Sequence, residues 1–208
     1  MDWDRIIYSL PGIIIGLTVH EFCHAWTAYK LGDPTAKNQG RTSLNPLVHI
    51  DLIGFIFIIL AGFGWAKPVQ FSPENLLHPR KDRALIALAG PLSNLVLGII
   101  FTLILVPLFN MEPANNASIF LRIQQLVIYA AFINFGLFIF NLLPIPPLDG
   151  SHVFFSGLNL RPETEQTIQR IGTPILFLLL IISSITDIDL LPIGKLINAI
   201  MAAILNIF

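Results

Sequence analysis

Residues 6–29 read IIYSLPGIIIGLTVHEFCHAWTAY, and His20-Glu21-Phe22-Cys23-His24 lies inside this apolar run. Roughly 20 such residues cross the hydrocarbon core of a bilayer as a helix. On a helix, HExxH puts two imidazoles four residues apart on one face, where both can bind one Zn²⁺. Glu21 lies between them in sequence, placed to take a proton from a metal-bound water. The expectation is hydrolysis carried out inside a membrane.

Composition supports the membrane half of that reading. Hydrophobic residues make up 54% of the chain and charged residues only 12%, and the mean hydropathy is +0.74. A soluble domain normally carries about 25% charged residues. The formal net charge of −1 gives no reason to expect a nucleic-acid partner. A single cysteine, Cys23, excludes an internal disulfide. Met1-Asp2-Trp3-Asp4-Arg5 is mostly acidic and no small-residue cleavage site follows Ile13–Gly16, so the N-terminus reads as a retained first helix rather than a signal peptide.

Five segments approach the length of a crossing: about Ile6–Tyr29, Arg83–Phe109, Leu121–Leu143, Ile171–Thr186 and Leu190–Phe208, the last two divided at Asp187-Ile188-Asp189. A sixth, Leu52–Ala66, is apolar but short and carries Gly54, Gly62 and Gly64. Lys30, Lys37 and Arg41 precede it; Lys67, Arg80, Lys81 and Arg83 follow it. If this segment dips in and returns, both basic groups face the cytoplasm, as the positive-inside rule prefers. The next loop, Asn110–Phe120, has no Lys or Arg and is placed outside; Arg161 and Arg170 return to the cytoplasmic side. The alternative is a short, tilted sixth crossing. Irregular backbone at membrane depth is tolerated only where protein or a wet cavity covers it. The expected fold is an all-α polytopic membrane protein with about five transmembrane helices plus a short re-entrant or β-like segment at about 52–71. No repeat, coiled coil or soluble appendage is visible.

His20 and His24 need a third ligand. The best candidate is Asp149, in the run Asn141-Leu142-Leu143-Pro144-Ile145-Pro146-Pro147-Leu148-Asp149-Gly150. Three prolines remove backbone donors and break the preceding helix, and Gly150 permits a tight turn. The result can carry a carboxylate back toward the membrane interior, where it needs a cation partner. The charge rule puts this end of the span on the same side as the C-terminal half of the first helix.

His20-Glu21-x-x-His24, Gly90-Pro91-x-x-Asn94 and Asn141-x-x-Pro144-x-x-Pro147-Leu148-Asp149-Gly150 together resemble the site-2 protease family of intramembrane zinc metalloproteases. The match covers about residues 6–155 and agrees in motif order and separation. The resemblance is to the compact prokaryotic branch without PDZ or CBS domains, with residues 1–208 as one intramembrane metalloprotease domain. It implies one Zn²⁺ per chain, His20, His24 and Asp149 as its ligands, and Glu21 as general base. It also implies cleavage of a transmembrane protein or peptide substrate near the cytoplasmic side, by an integral protein of a prokaryotic plasma membrane.

Gly12, Gly16 and His20, and likewise Gly90, Asn94 and Gly98, recur at i, i+4, i+8, a spacing that lets membrane helices approach closely. Asn94 and Asn141 are costly to bury and are candidate substrate-binding residues, with an inter-helix bond as the alternative; Asn134 is read as structural. Cys23 is expected to point away from the metal. His49 and His78 are read as surface histidines, and so is His152, with support of the metal ligands as its alternative. An unwound substrate strand could be held by strand addition along a β-like edge at Gly62–Phe71. The rival reading is a membrane zinc carrier without hydrolytic activity. Glu21 argues against it, because transport has no need of a non-ligand carboxylate at that spacing.

Overall fold

The computed structural model describes residues 3–61, 64–111, 117–158, 160–186 and 192–207. Helix α1 (Trp3–Lys30) carries the HExxH motif in its second half. A loop follows, containing the single turn α2 (Thr35–Asn38), and leads into α3 (Leu52–Ala61). Then come α4 (Pro79–Asn110), α5 (Ala117–Asn141), α6 (Asp149–Gly157), α7 (Pro162–Thr186) and α8 (Ile193–Leu205). Among the described residues, four stretches are long and apolar enough to cross a membrane: Trp3–Lys30, Pro79–Asn110, Ala117–Asn141 and Glu163–Ser183.

The last expected crossing, about 190–208, differs. Helix α8 has 13 residues, about 20 Å at 1.5 Å per residue, against a hydrocarbon core of about 30 Å. It lies against α4 and α5. The break expected at Asp187-Ile188-Asp189 falls outside the described residues.

The 52–71 segment also departs from a β-like form. Its first 10 residues are the helix α3, and no strand occurs among the described residues. Ten residues reach about 15 Å, half a crossing. The chain then turns back: a Cβ on Gly54 would come within 3.0 Å of the Trp65 carbonyl carbon, and Lys67 N donates to His49 O at 2.8 Å. Both ends of the segment therefore meet on one side, as a re-entrant segment requires. Of the proposed edge, Gly62 and Phe63 lie outside the described residues, and 64–71 is irregular.

Helices α1, α4 and α5 form the packed centre, with α6 against α4. Small residues set the spacing. A Cβ on Gly12 would sit 2.7 Å from Ala130 Cα, and one on Gly98 would sit 2.8 Å from the Phe135 ring. Polar groups then cross the contact. Asn94 Nδ2 on α4 donates to Gly16 O on α1 and to Asn134 Oδ1 on α5, both at 3.0 Å, and Asn134 Nδ2 donates to Ala130 O at 2.8 Å. In lipid, where apolar surface drives no association between helices, such bonds and close contacts hold the bundle. At the entry to α4, Pro79 occupies a position whose N–H has no intrahelical partner anyway. Asp82 reaches back to accept from His78 N at 2.8 Å.

Candidate metal centre and active site

The HExxH stretch is helical throughout, so His20 and His24 fall on one face of α1, directed at α4 and α6. Gly90 makes room for them: a Cβ there would lie 2.6 Å from His24 Cε1 and 2.7 Å from His20 Cε1. Asp149 arrives from the other direction. After α5 ends at Asn141, the proline-rich run turns the chain, and Asp149 opens α6. Gly150 permits that turn to be tight, since a Cβ there would stand 2.6 Å from Leu143 O. The first turn of a helix favours a carboxylate.

The three side chains converge. His20 Nε2 is 3.0 Å from His24 Nε2, and Asp149 Oδ2 is 3.1 Å from the first and 3.3 Å from the second. Hydrogen bonds on the far side of each ring fix the tautomers. His24 Nδ1 donates to Ile86 O at 2.6 Å, a carbonyl that can only accept. Asn94 spends its amide donors on Gly16 and Asn134, so Oδ1 faces His20 and accepts from His20 Nδ1 at 2.6 Å. In the neutral imidazoles, both Nε2 atoms then present bare lone pairs to a carboxylate oxygen. Asp149 Oδ2 is buried without a hydrogen-bond partner. Three lone-pair donors aimed at one point repel each other unless a cation lies between them. Separations of 3.0–3.3 Å match the edge of a tetrahedron around Zn²⁺, about 3.3 Å for bonds of about 2.0 Å. Ring N–H groups bonded to a carbonyl or amide oxygen are the usual support of metal-binding histidines. Among the described residues, His20, His24 and Asp149 are the group of this kind whose ligand atoms all lie within 4.8 Å.

Glu21 is buried beside this cluster, and its Oε2 lies 3.7 Å from Arg41 Nη2. A cavity of about 510 Å³ opens over the three ligands and Glu21. Its walls include Ile86 and Ala87 of α4, Leu137, Phe140 and Asn141 of α5, Leu176, Phe177 and Leu180 of α7, and Gly64, Trp65, Ala66, Pro68 and Val69 of the returning segment. The walls are mostly apolar side chains with a few polar groups among them, the usual make-up of a binding site.

The remaining candidates separate. Asn141 lines the cavity, with Nδ2 donating to Leu137 O at 2.9 Å. Asn94 is fully buried behind His20, its donors engaged with Gly16 and Asn134, which is not the placement of a substrate contact. Cys23 turns toward Ser93 on α4. His78 is exposed. His49, in contrast to a surface histidine, is 0% exposed, and Nε2 donates to Ser43 O at 2.6 Å. His152 lines the cavity beside Arg83; burial and then the Arg83 charge push its imidazole below the ordinary histidine value. Arg41 carries no site role in the sequence beyond its loop charge. It reads as one loop cation among several, and only the folded chain shows its guanidinium 3.7 Å from Glu21.

Fold and site define a polytopic membrane protein with a metal-binding hydrolytic centre in its helical core. The model of peptidase family M50 matches residues 8–116 and 108–183. YwhC of Bacillus subtilis, named as a candidate zinc metalloprotease, is 37% identical over 203 residues, covering 97% of this chain and 90% of that protein. Rip2 of Mycolicibacterium smegmatis, named in the same way, is 31% identical over 167 residues, covering 78% of this chain and 61% of that protein. The zinc metalloprotease RasP of Shouchella clausii is 35% identical over 81 residues, 36% of this chain and 19% of that protein. No solved structure matches the chain. The chain belongs to peptidase family M50 and is an intramembrane zinc metalloprotease. Nothing in these relatives favours the carrier alternative.

Proposed function

We propose that this chain hydrolyses peptide bonds in or near transmembrane segments of membrane-protein substrates, with His20, His24 and Asp149 as the zinc ligands and Glu21 as the general base. The observation that supports it best is the position of Glu21, a buried non-ligand carboxylate beside the metal cluster and on the wall of the same cavity. Zinc bound at this cluster supplies Lewis acidity, polarising the scissile carbonyl and lowering the pKa of water toward neutrality. Glu21 takes a proton from the attacking water and returns it to the leaving amine. The ring bonds to Asn94 and Ile86 keep both Nε2 lone pairs pointed inward while this happens. The apolar walls receive a locally unwound stretch of substrate, because intact helical bonds would shield its carbonyls. Asn141, whose Oδ1 and second amide hydrogen remain available, bonds the substrate backbone from α5; residues of the 64–71 segment line the same cavity. In this reading the cavity opens to the cytoplasmic side of a prokaryotic plasma membrane; the Lys and Arg distribution supports that side. The whole chain acts as one domain.

Glu21→Gln tests the assignment. The amide cannot accept the proton, so cleavage of a test transmembrane peptide is expected to fall about 10²–10⁴-fold while zinc content stays at one per chain. Normal turnover in that variant would remove Glu21 from the chemistry.

A further inference from the structure

Arg41 is 3% exposed, although it comes from the loop between α1 and α3. Gly40, at φ +71°, takes the left-handed turn that brings it inward, and Arg41 N donates to Ala36 O at 2.9 Å to close that turn. The side chain then runs to the catalytic region. Its guanidinium donates through Nη1 to Val48 O and through Nη2 to Lys67 O, and Nη2 also stands 3.7 Å from Glu21 Oε2. Val48 precedes the re-entrant segment, and Lys67 belongs to the stretch that lines the cavity on its return. One planar fork therefore touches both arms of that segment and the carboxylate on α1. A buried cation with no role would be costly, and lysine could not reproduce this geometry, because the guanidinium presents fixed diverging donors and the ammonium a single compact point.

We propose that Arg41 is a positioning residue for Glu21: it holds Oε2 against the re-entrant segment, so that Oε1 is the atom turned to the attacking water. The same fork, through Lys67 O, ties the placement of the base to the seating of the neighbouring wall residues Ala66 and Pro68. Arg41 touches no substrate in this scheme and acts through Glu21. The inference rests on the protease reading above, and the two fail in different ways.

The test uses the full chain in detergent or nanodiscs with a transmembrane peptide as substrate. Zinc content, melting temperature, kcat and KM are measured on each preparation. Arg41→Gln is expected to keep its zinc and lose about 10²-fold in kcat, the cost of a reacting group displaced by about 1 Å, with KM unchanged. Arg41→Lys keeps the buried charge without the fork; it is expected to melt near the parent and still lose kcat. In a Glu21→Gln background, Arg41→Gln is expected to add no further loss, since the group it positions no longer takes a proton. Three results would each overturn the inference: a lower melting temperature with normal turnover per zinc-loaded chain, a raised KM with normal kcat, or a full additional loss in the Glu21→Gln background. Should Arg41→Gln not fold, Arg41→Lys carries the same readings. Absence of cleavage by the parent protein would remove the protease reading itself, and this inference with it. Cleavage by the parent, matched by normal kcat in both Arg41 variants, would remove only the inference.

Discussion

Asn94 contributes through a single side-chain amide that reaches from α4 to both α1 and α5. Its Nδ2 is satisfied by Gly16 O and Asn134 Oδ1, which leaves Oδ1 free only toward His20 Nδ1. The orientation of the amide is thereby forced, and through it the tautomer of His20. Asn94→Leu would leave a buried ring N–H without an acceptor and release the ring. Loss of such a supporting partner typically costs about 10–100-fold in metal affinity. Competition with a chelator of known affinity should show zinc held that much more weakly in Asn94→Leu, with a smaller loss in Asn94→Asp, which keeps an acceptor. Unchanged affinity in Asn94→Leu would show that the ring is held by packing alone. The sequence exposes asparagine at that position as expensive to bury, which is why it stands out. It does not say which neighbour the amide serves, because that depends on the rotation of α4 against α1 and α5.

Whole elements depend on a few small contacts of the same kind. Helix α4 approaches α1 closely enough to crowd the two histidine rings, and only a hydrogen at Gly90 leaves them room. Gly90→Ala should push both imidazoles off their shared axis; the expected result is loss of most bound zinc and of cleavage, with helix content by circular dichroism unchanged. Retention of stoichiometric zinc would mean that α4 can shift without cost. A second contact joins the loops flanking α3. Asp33, 0% exposed, accepts from Thr35 N and Oγ1, Ser72 N and Asn75 Nδ2 at 2.6–3.1 Å. Burial alone would raise the Asp33 carboxyl, but these four bonds outweigh it and hold it below the ordinary carboxylate value. A depressed folded pKa stabilises the protein above the unfolded value, near 4; this contribution is lost as pH falls through the folded value. Asp33→Asn should therefore lower the melting temperature at about pH 7 and differ less from the parent at about pH 3. A difference that does not shrink on acidification would show that the carboxylate charge is not what the clamp uses. The long helices and the HExxH face were legible because apolar length and the i, i+4 spacing are local properties. The helical form of 52–61 was not, because a ten-residue apolar run with one glycine suits a buried helix as well as a strand. Nor was α6, whose start at Asp149 follows from how the proline run turns against Leu142 and Leu143.

At the scale of the molecule, the question is on which side of the bilayer each loop lies. Helix α4 has 32 residues, about 48 Å in length, more than the hydrocarbon core needs. Its two ends, near Pro79 and Met111, must therefore lie on opposite sides. Among the described residues, the loops before and after α3 are bound to each other at four places: Asp33 to Ser72 and Asn75, Gln39 Nε2 to Gln70 Oε1 at 3.1 Å, Lys67 N to His49 O at 2.8 Å, and Arg41 Nη2 to Lys67 O. A segment whose flanks are tied in this way enters and leaves by the same face. The basic residues Lys30, Lys37, Arg41, Lys67, Arg80 and Lys81 all belong to that face, and the proposed cytoplasmic orientation follows the positive-inside rule. The exposed positions Asn38, Glu74 and Met111 report the arrangement directly. In a Cys23→Ser background, Asn38→Cys and Glu74→Cys should react with an impermeant maleimide only from the cytoplasmic side, as in inverted vesicles. Met111→Cys should react only from the opposite side, as in intact cells. Reaction of Asn38→Cys and Glu74→Cys from different sides would make Leu52–Ala66 a crossing and would contradict the contacts that join its two flanks. Reaction of all three from reversed sides would keep the fold, invert the molecule, and place the mouth of the zinc site outside the cell.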